Sequence, residues 1–349
     1  MRVTLKDISQ KVNVSVSTVS DILNGRPVSY SEDLRKQVFE AVKTLNYRPN
    51  ALARGLRRRQ TELLGLVIPN RRYSFFADIA IGIEKYLRQR GSQAITVFTD
   101  DEVTPEGSMV KELEVLHARQ VDGIILNPCQ KNNYAIDLFK RFIKQGTPIV
   151  LIDQDIEGID VPFVGTDDVW SSREAVRYLI GKGHRRIAHM SAAQGSISGA
   201  RRLEGYKQAL EEAGILFDPR LVFEQRYDVM GEIQNAVHQM LDMPELPTAV
   251  FCASDLFAGE LYNGCYEKGL KIPQDLSVMG FGNLMISEYM VPKLTTMDQN
   301  PDELARQIVT TMFEQIEAFA EGQRSEKPVK TYVKAKLTER GSVCLRSNS

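Results

Sequence analysis

Between Leu63 and Leu337 short apolar runs alternate with stretches of helical periodicity, and this alternation limits the fold more than any other feature of the chain. The first set runs LLGLVIP at 63–69, helix Phe76 to Arg90, AITVF, helix Glu106 to Arg119, DGIIL, helix Tyr134 to Gln145, and PIVLI. A second set follows with FVGTD, helix Val169 to Gly181, RRIAHM, helix Leu203 to Ala213, a strand near Leu221 to Glu224, helix Gly231 to Leu241, TAVFCA, helix Leu256 to Lys268 and LSVMGF. Repeated strand then helix predicts parallel sheets covered by helices on both faces. Two similar halves in succession predict two lobes with a cleft between them. LTTMDQ, a helix from Pro301 to Glu321 and a final strand near Val329 to Leu337 complete the pattern.

The first sixty residues have a different grammar. Thr4 can cap a helix with Asp7 three residues on, and Leu5, Ile8 and Val12 then share one face. After an Asn13-Val14 turn, Ser15 can cap a second helix. There Val19, Ile22 and Leu23 face inward and Val16, Ser17, Ser20 and Asp21 face out, before Asn24-Gly25 stops it. Leu34, Val38, Val42 and Leu45 form the apolar stripe of a third helix. A tight turn between two short amphipathic helices, with small polar residues opening the second, suits insertion into a DNA major groove, although helix hairpins also serve as plain packing units. Charge favours the first reading. Residues 1–60 hold twelve Lys/Arg against five Asp/Glu, so this segment is near +7 and the remainder near −8.

The motifs TLKDIS, VSVSTVS, ILNG and NYRPNALARGL occur in an order that resembles the lactose and galactose repressor family of bacterial transcription regulators, along nearly the full length. The resemblance implies a helix-turn-helix domain at 1–46, a hinge helix and linker at 47–60, and an effector-binding and dimerisation body at 61–342. It further implies a first lobe of about 61–160 plus 292–322 and a second of about 161–291 plus 323–342. DNA contacts would come from Thr4, Ser15, Val16, Ser17, Thr18, Asp21, Asn24 and Tyr47. Asn50, Ala53 and Leu56 would lie in the minor groove, Leu56 as a wedge between base steps. A segment as short as ALARGL, with Gly55 inside it, is not a stable helix alone.

Other classes fit poorly. Gly280-Phe-Gly282 and Gly181-Lys-Gly183 lack the rest of a dinucleotide fingerprint, Gly195 to Gly199 has Ile197 where a nucleophilic serine would stand, and His117, His184, His189 and His238 have no metal-ligand spacing. The expectation is a protein that is not an enzyme and needs no cofactor. The four cysteines, Cys129, Cys252, Cys265 and Cys344, show no paired spacing and sit among mostly apolar neighbours, which predicts buried, reduced thiols in a cytosolic protein, without a signal segment or membrane span.

For the cleft, the resemblance assigns Phe75, Phe76 and Asp153 from the first lobe and Asp167, Ser198, Arg202, Ser254 and Asp255 from the second, with Tyr227 and Gln299 in addition. The chain departs from the family at Gly282-Asn283, where an acidic pair is usual, and at Ser254, where asparagine is usual. Arg71 and Arg72 add cations near the cleft mouth. The expected partners are double-stranded operator DNA, a carbohydrate-like effector and a second copy of the chain, with no membrane.

Overall fold

The computed structural model describes residues 3–23, 28–47, 61–69, 74–99, 108–128, 136–156, 158–192, 196–226, 229–323 and 328–346. The chain separates into two compact units, Met1–Thr61 and Glu62–Ser349. Among its described residues the smaller holds three helices, α1 (Leu5–Val12), α2 (Val16–Leu23) and α3 (Glu32–Thr44). Ile8, Val19, Ile22, Val38 and Ala41 are buried at its centre. The Asp7 carboxylate accepts from the Thr4 N–H at 2.7 Å and the Thr4 hydroxyl at 2.8 Å, which fixes the start of α1. Asn13 closes it in the left-handed region, φ 55°, a conformation asparagine tolerates better than most residues. Ser20 was expected to face out; it is buried, because it lies on the flank of α2 that turns toward the small core.

The described residues of the larger unit form two six-stranded sheets. The first is built from β1 (Leu63–Pro69), β2 (Gln93–Thr99), β3 (Gly123–Leu126), β4 (Ile149–Ile152), β5 (Phe163–Thr166) and β11 (Lys330–Val333), ordered β11-β5-β4-β3-β1-β2. The second comprises β6 (Ile187–Ala192), β7 (Val222–Gln225), β8 (Ala249–Cys252), β9 (Ser277–Gly282), β10 (Thr295–Asp298) and β12 (Lys336–Thr338), ordered β12-β10-β9-β8-β6-β7. Among the described residues every pairing is parallel except β10 with β12. The inner strands β3, β4, β5, β8 and β9 are buried at every position, as strands covered on both faces must be.

Helices α4 (Ser74–Gln89) and α12 (Pro301–Ala320) cover one face of the first sheet through Ile79, Ile83, Leu87, Leu304, Ile308 and Met312. The other face meets α5 (Ser108–Ala118) and α6 (Ile136–Lys144). The second sheet lies between α7 (Asp168–Gly181) with α8 (Ile197–Glu212) and α9 (Met230–Leu241) with α10 (Asp255–Glu267). A short α11 (Ile286–Tyr289) follows β9.

The lobe limits expected from sequence need three corrections. Residues 163–166 belong to the first sheet, where Phe163 pairs with both Leu151 and Lys330. Residues 295–298 pair with β9 in the second sheet, while the helix that follows them returns to the first. Residues 330–333 also belong to the first sheet, and only the last strand lies in the second. The chain thus crosses between lobes after β5, after β10 and after β11. The alternation of strand and helix encodes burial; it does not encode which of two similar sheets an individual strand joins.

Candidate nucleic-acid interface and effector site

In the small unit the start of α2 is held by its own side chains. Ser15 Oγ accepts from the Thr18 N–H at 3.0 Å and lies 2.7 Å from Ser17 Oγ and 2.8 Å from Thr18 Oγ1. Ser15 and Ser17 are exposed, as is Val16, an apolar residue at 43% exposure with no reason in the local core to be there. Exposed Val16 and Ser17 at a helix start offer a methyl surface and a hydroxyl to base edges. Asp21 is half-buried on the next turn, and its Oδ2 accepts from the Tyr30 hydroxyl at 3.3 Å. Tyr47 packs against the small core and donates its N–H to the Val42 carbonyl at 3.0 Å. Asn24, Asn50, Ala53 and Leu56 lie outside the described residues.

In the large unit, strand order reverses between β1 and β3 and again between β6 and β8. Open parallel sheets bind ligands outside the carboxyl ends of their strands at such reversals. The candidate residues follow these ends. Asp153, with φ 63°, follows β4, and the Asn127 amide donates to its Oδ2 at 3.3 Å. Phe75 and Phe76, in the first turn of α4, meet edge to face at 5.3 Å between centroids and pack against the first-lobe core.

Arg202 is the centre of the polar group on the second lobe. It is 6% exposed; its Nε donates to Asp168 Oδ1 at 2.7 Å, one terminal nitrogen to the Ala253 carbonyl at 2.7 Å, and the other to Gln299 Oε1 at 3.3 Å. The guanidinium carbon stands 4.0 Å from the centre of the Phe281 ring. Thr166, at the end of β5, donates to the same Gln299 oxygen at 3.1 Å, so one amide oxygen joins the two lobes. Burial pushes the Asp168 carboxyl up to about 6 against the pull of Arg202.

Several candidates turn out to be engaged in local structure. Asp167 caps α7 by accepting the Trp170 N–H at 3.1 Å; the buried partner of Arg202 is its neighbour Asp168, which the sequence reading overlooked. Consecutive aspartates at a helix start give no sign of which caps and which turns inward. Ser254 caps α10 by accepting the Leu256 N–H at 3.3 Å. Asp255 is fully buried, with Oδ2 accepting the Leu284 N–H and Oδ1 the Thr296 hydroxyl, both at 2.6 Å. Burial raises its carboxyl to about 6 despite those bonds. Ser198, in the first turn of α8, lies 3.2 Å from Ser196 Oγ. Tyr227, Arg71 and Arg72 lie outside the described residues.

Residues 4–50 match the bacterial regulatory proteins of the lacI family, and residues 176–343 match a periplasmic binding protein-like domain. A ribose operon repressor from Haemophilus influenzae is 32% identical, over 92% of this chain and 94% of its own. The chain belongs to the lacI family. Catabolite control protein A from Priestia megaterium is 33% identical over 86% of this chain and 88% of its own. A Lac repressor dimer bound to operator and an anti-inducer has the same fold, with a TM-score of 0.83 at 24% identity, covering 99% of this chain and all of its own. A lacI-family regulator from Enterococcus faecium with bound ribose superposes with a TM-score of 0.69 at 26% identity, covering 82% of this chain and all of its own.

Within this lacI-family chain, the end of β9 is unusual in a way the backbone explains. Gly282 has φ +130°, a conformation L side chains rarely adopt, so the acid usual in the family has no relaxed place here. Asn283 is held by its neighbours: its amide nitrogen donates to Asp298, the last residue of β10, at 3.0 Å and its oxygen accepts from Arg340 at 2.8 Å. Among the described residues no three His, Cys, Asp or Glu side chains are grouped to hold a metal ion, and no helix is long and apolar enough to cross a membrane.

Proposed function

We propose that this chain is a sequence-specific DNA-binding repressor of the cytoplasm whose operator affinity is set by a small sugar-like effector between the two lobes. The observation that carries the reading is the joining of two devices in one chain. A helix hairpin exposes Val16 and Ser17 at the start of its second helix, and a two-sheet body gathers Arg202, Gln299, Asp168 and Asp153 at its strand ends. Neither a secreted binding protein nor a sugar enzyme has a use for the first device.

One hairpin reads one half-site, so a second copy with two-fold symmetry doubles the contacts and makes the operator a near-palindrome. Exposed apolar side chains support such pairing. Met285, Ile286, Tyr289 and Val291 are exposed around α11 in the second lobe, and Ile81, Phe98 and Val115 are exposed in the first. Leu56 would enter the minor groove at the operator centre, with Asn50 and Ala53 beside it, by likeness to the family. The ribose bound by the Enterococcus relative makes D-ribose the first effector to try.

Selection from randomised DNA with the full chain, with light scattering on the selected complex, tests the proposal. A near-palindromic site bound by a dimer is expected. An unenriched pool, or a monomer in the complex, would overturn it.

A further inference from the structure

Arg201 and Arg202 are neighbours on α8, where successive side chains point about 100° apart. Arg202 turns into the second lobe, toward Asp168 and Gln299. Arg201 reaches out of that lobe to the first. One terminal nitrogen lies 3.6 Å from Asp155 Oδ2, and the guanidinium carbon is 5.8 Å from the centre of the Tyr332 ring. Asp155 lies just past β4 and Tyr332 is on β11, two strands of the first sheet. A cation of one lobe is thus paired with an acid of the other.

The receiving side is built within the first lobe. Lys330 and Tyr332 alternate onto the same face of β11, with the Tyr332 ring 5.5 Å from that of Phe163. Lys330 Nζ donates to the same Asp155 oxygen at 2.9 Å. That inner pair belongs to one lobe and survives any movement of the other. Arg201 adds an outer arm, and its side chain is 24% exposed against 51% for Lys330. Burial pushes the Asp155 carboxyl up, yet Lys330 and Arg201 together hold it below the usual carboxylate range.

Only the outer arm depends on how the lobes stand. At 3.6 Å it is an ion pair longer than a hydrogen bond, so its attraction deepens as the lobes approach and fades as they part. A ligand held between the lobes gains from the first and loses by the second. We propose that Arg201 is a positioning residue for the effector: its ion pair with Asp155 holds the second lobe against the first and tightens the cleft around a ligand that Arg201 does not touch. The proposal rests on the reading of the cleft given above and adds to it a strut that salt weakens.

The test uses the full chain with Arg201→Gln, Asp155→Asn, the double variant, and Arg201→Lys, which keeps the charge. Amide exchange without ligand is followed at two crossovers between the lobes, at Asp167, whose N–H bonds the Val333 carbonyl, and at Ala335, whose N–H bonds Ser171 Oγ. Binding of D-ribose and D-glucose is measured by calorimetry at about 0.1 M and about 1 M salt, where charges act over roughly 10 Å and 3 Å. At the lower salt each neutralised single variant should exchange faster at the crossovers and bind the sugar about two- to fivefold more weakly, the span of a partly exposed ion pair. The double variant should bind no worse than the weaker single one, Arg201→Lys should recover part of the loss, and the differences should close at the higher salt. Single effects that add, or that persist at the higher salt, would show local repacking and overturn the proposal. Unchanged exchange with unchanged affinity would show a solvated surface pair only, which overturns it and leaves the cleft reading intact. A change in one without the other overturns it too, since lost affinity alone would make Arg201 a direct contact. A wild type that binds neither sugar removes the cleft reading and the proposal with it.

Discussion

The Nε of Arg202 donates to Oδ1 of Asp168 across 2.7 Å, with both side chains almost wholly removed from solvent, at 7% and 2% exposure. The pair ties α8 to the start of α7, and Gln299 extends it to Thr166 at the end of the first sheet. An effector that draws Arg202 toward itself must loosen this chain of bonds and so bias the two lobes.

Replacing that arginine should therefore do two things. Arg202→Ala should abolish the effector response and also destabilise the protein, by about 3–5 kcal/mol at pH 8, because a buried carboxylate loses its partner. Asp168 already titrates near 6, above its unfolded value, so the folded state takes up its proton as pH falls through that range. The loss should shrink markedly at pH 5, where the carboxyl is neutral. Urea unfolding at the two pH values checks this; an equal loss at both would show that charge burial is not its cause.

Asp255 was expected to contact effector, but its two oxygens are engaged by Leu284 N–H and the Thr296 hydroxyl. Asp255→Asn keeps the volume and must leave one of these donors facing an amide nitrogen. A stability loss of about 1–3 kcal/mol is expected, while binding of effector by the remaining folded protein stays close to wild type. Large loss of effector affinity at unchanged melting temperature would return Asp255 to the ligand site.

His189 is fully buried, stacked 4.9 Å from Phe251 and 5.1 Å from Tyr206, with Nδ1 2.9 Å from the Phe251 carbonyl. Burial brings its pKa down to about 4. Below the unfolded value the unfolded chain binds the extra proton, so this residue subtracts stability as pH falls from about 6.5 toward 4, by roughly 3 kcal/mol when complete. His189→Asn keeps a donor for Phe251 and cannot titrate. Its stability should fall less steeply than that of the wild type across this window, as read by chemical denaturation; parallel slopes would contradict the assignment.

Much of this was legible in the sequence because burial has a period. The three head helices and the succession of strands follow from apolar spacing, and Ser15 was recognisable as a cap from its place before an apolar run. Lobe membership was not legible, since β5 and β10 look like any other buried strand and nothing in the short run of β11 says which sheet it joins. The polar residues were read least well. Asp167, Ser254 and Asp255 are all aspartates or serines at strand-to-helix turns, where capping and ligand binding demand the same side chains.

Asp21 stands where many family members carry an arginine that reads guanine, and a carboxylate there can only accept, its main major-groove partner being the cytosine amino group. The Tyr30 hydroxyl holds one of its oxygens, which restricts its reach. A modest preference is expected for the wild type, below the roughly 1–3 kcal/mol of a good base contact, rising in Tyr30→Phe as the carboxylate loses that bond. Selection from randomised operators with wild type, Tyr30→Phe and Asp21→Arg should give three different preferences at one half-site position. Identical preferences would remove Asp21 from the reading surface.

Anisotropy titration of the selected operator at fixed salt, with and without saturating neutral sugar, measures directly whether one molecule couples the strand-end site to DNA. Coupling between such sites is commonly about 1–3 kcal/mol, so a sugar that binds the wild type should change operator affinity about fivefold or more, and Arg202→Ala should show no change. A sugar that binds with full occupancy yet leaves operator affinity unaltered would contradict the account.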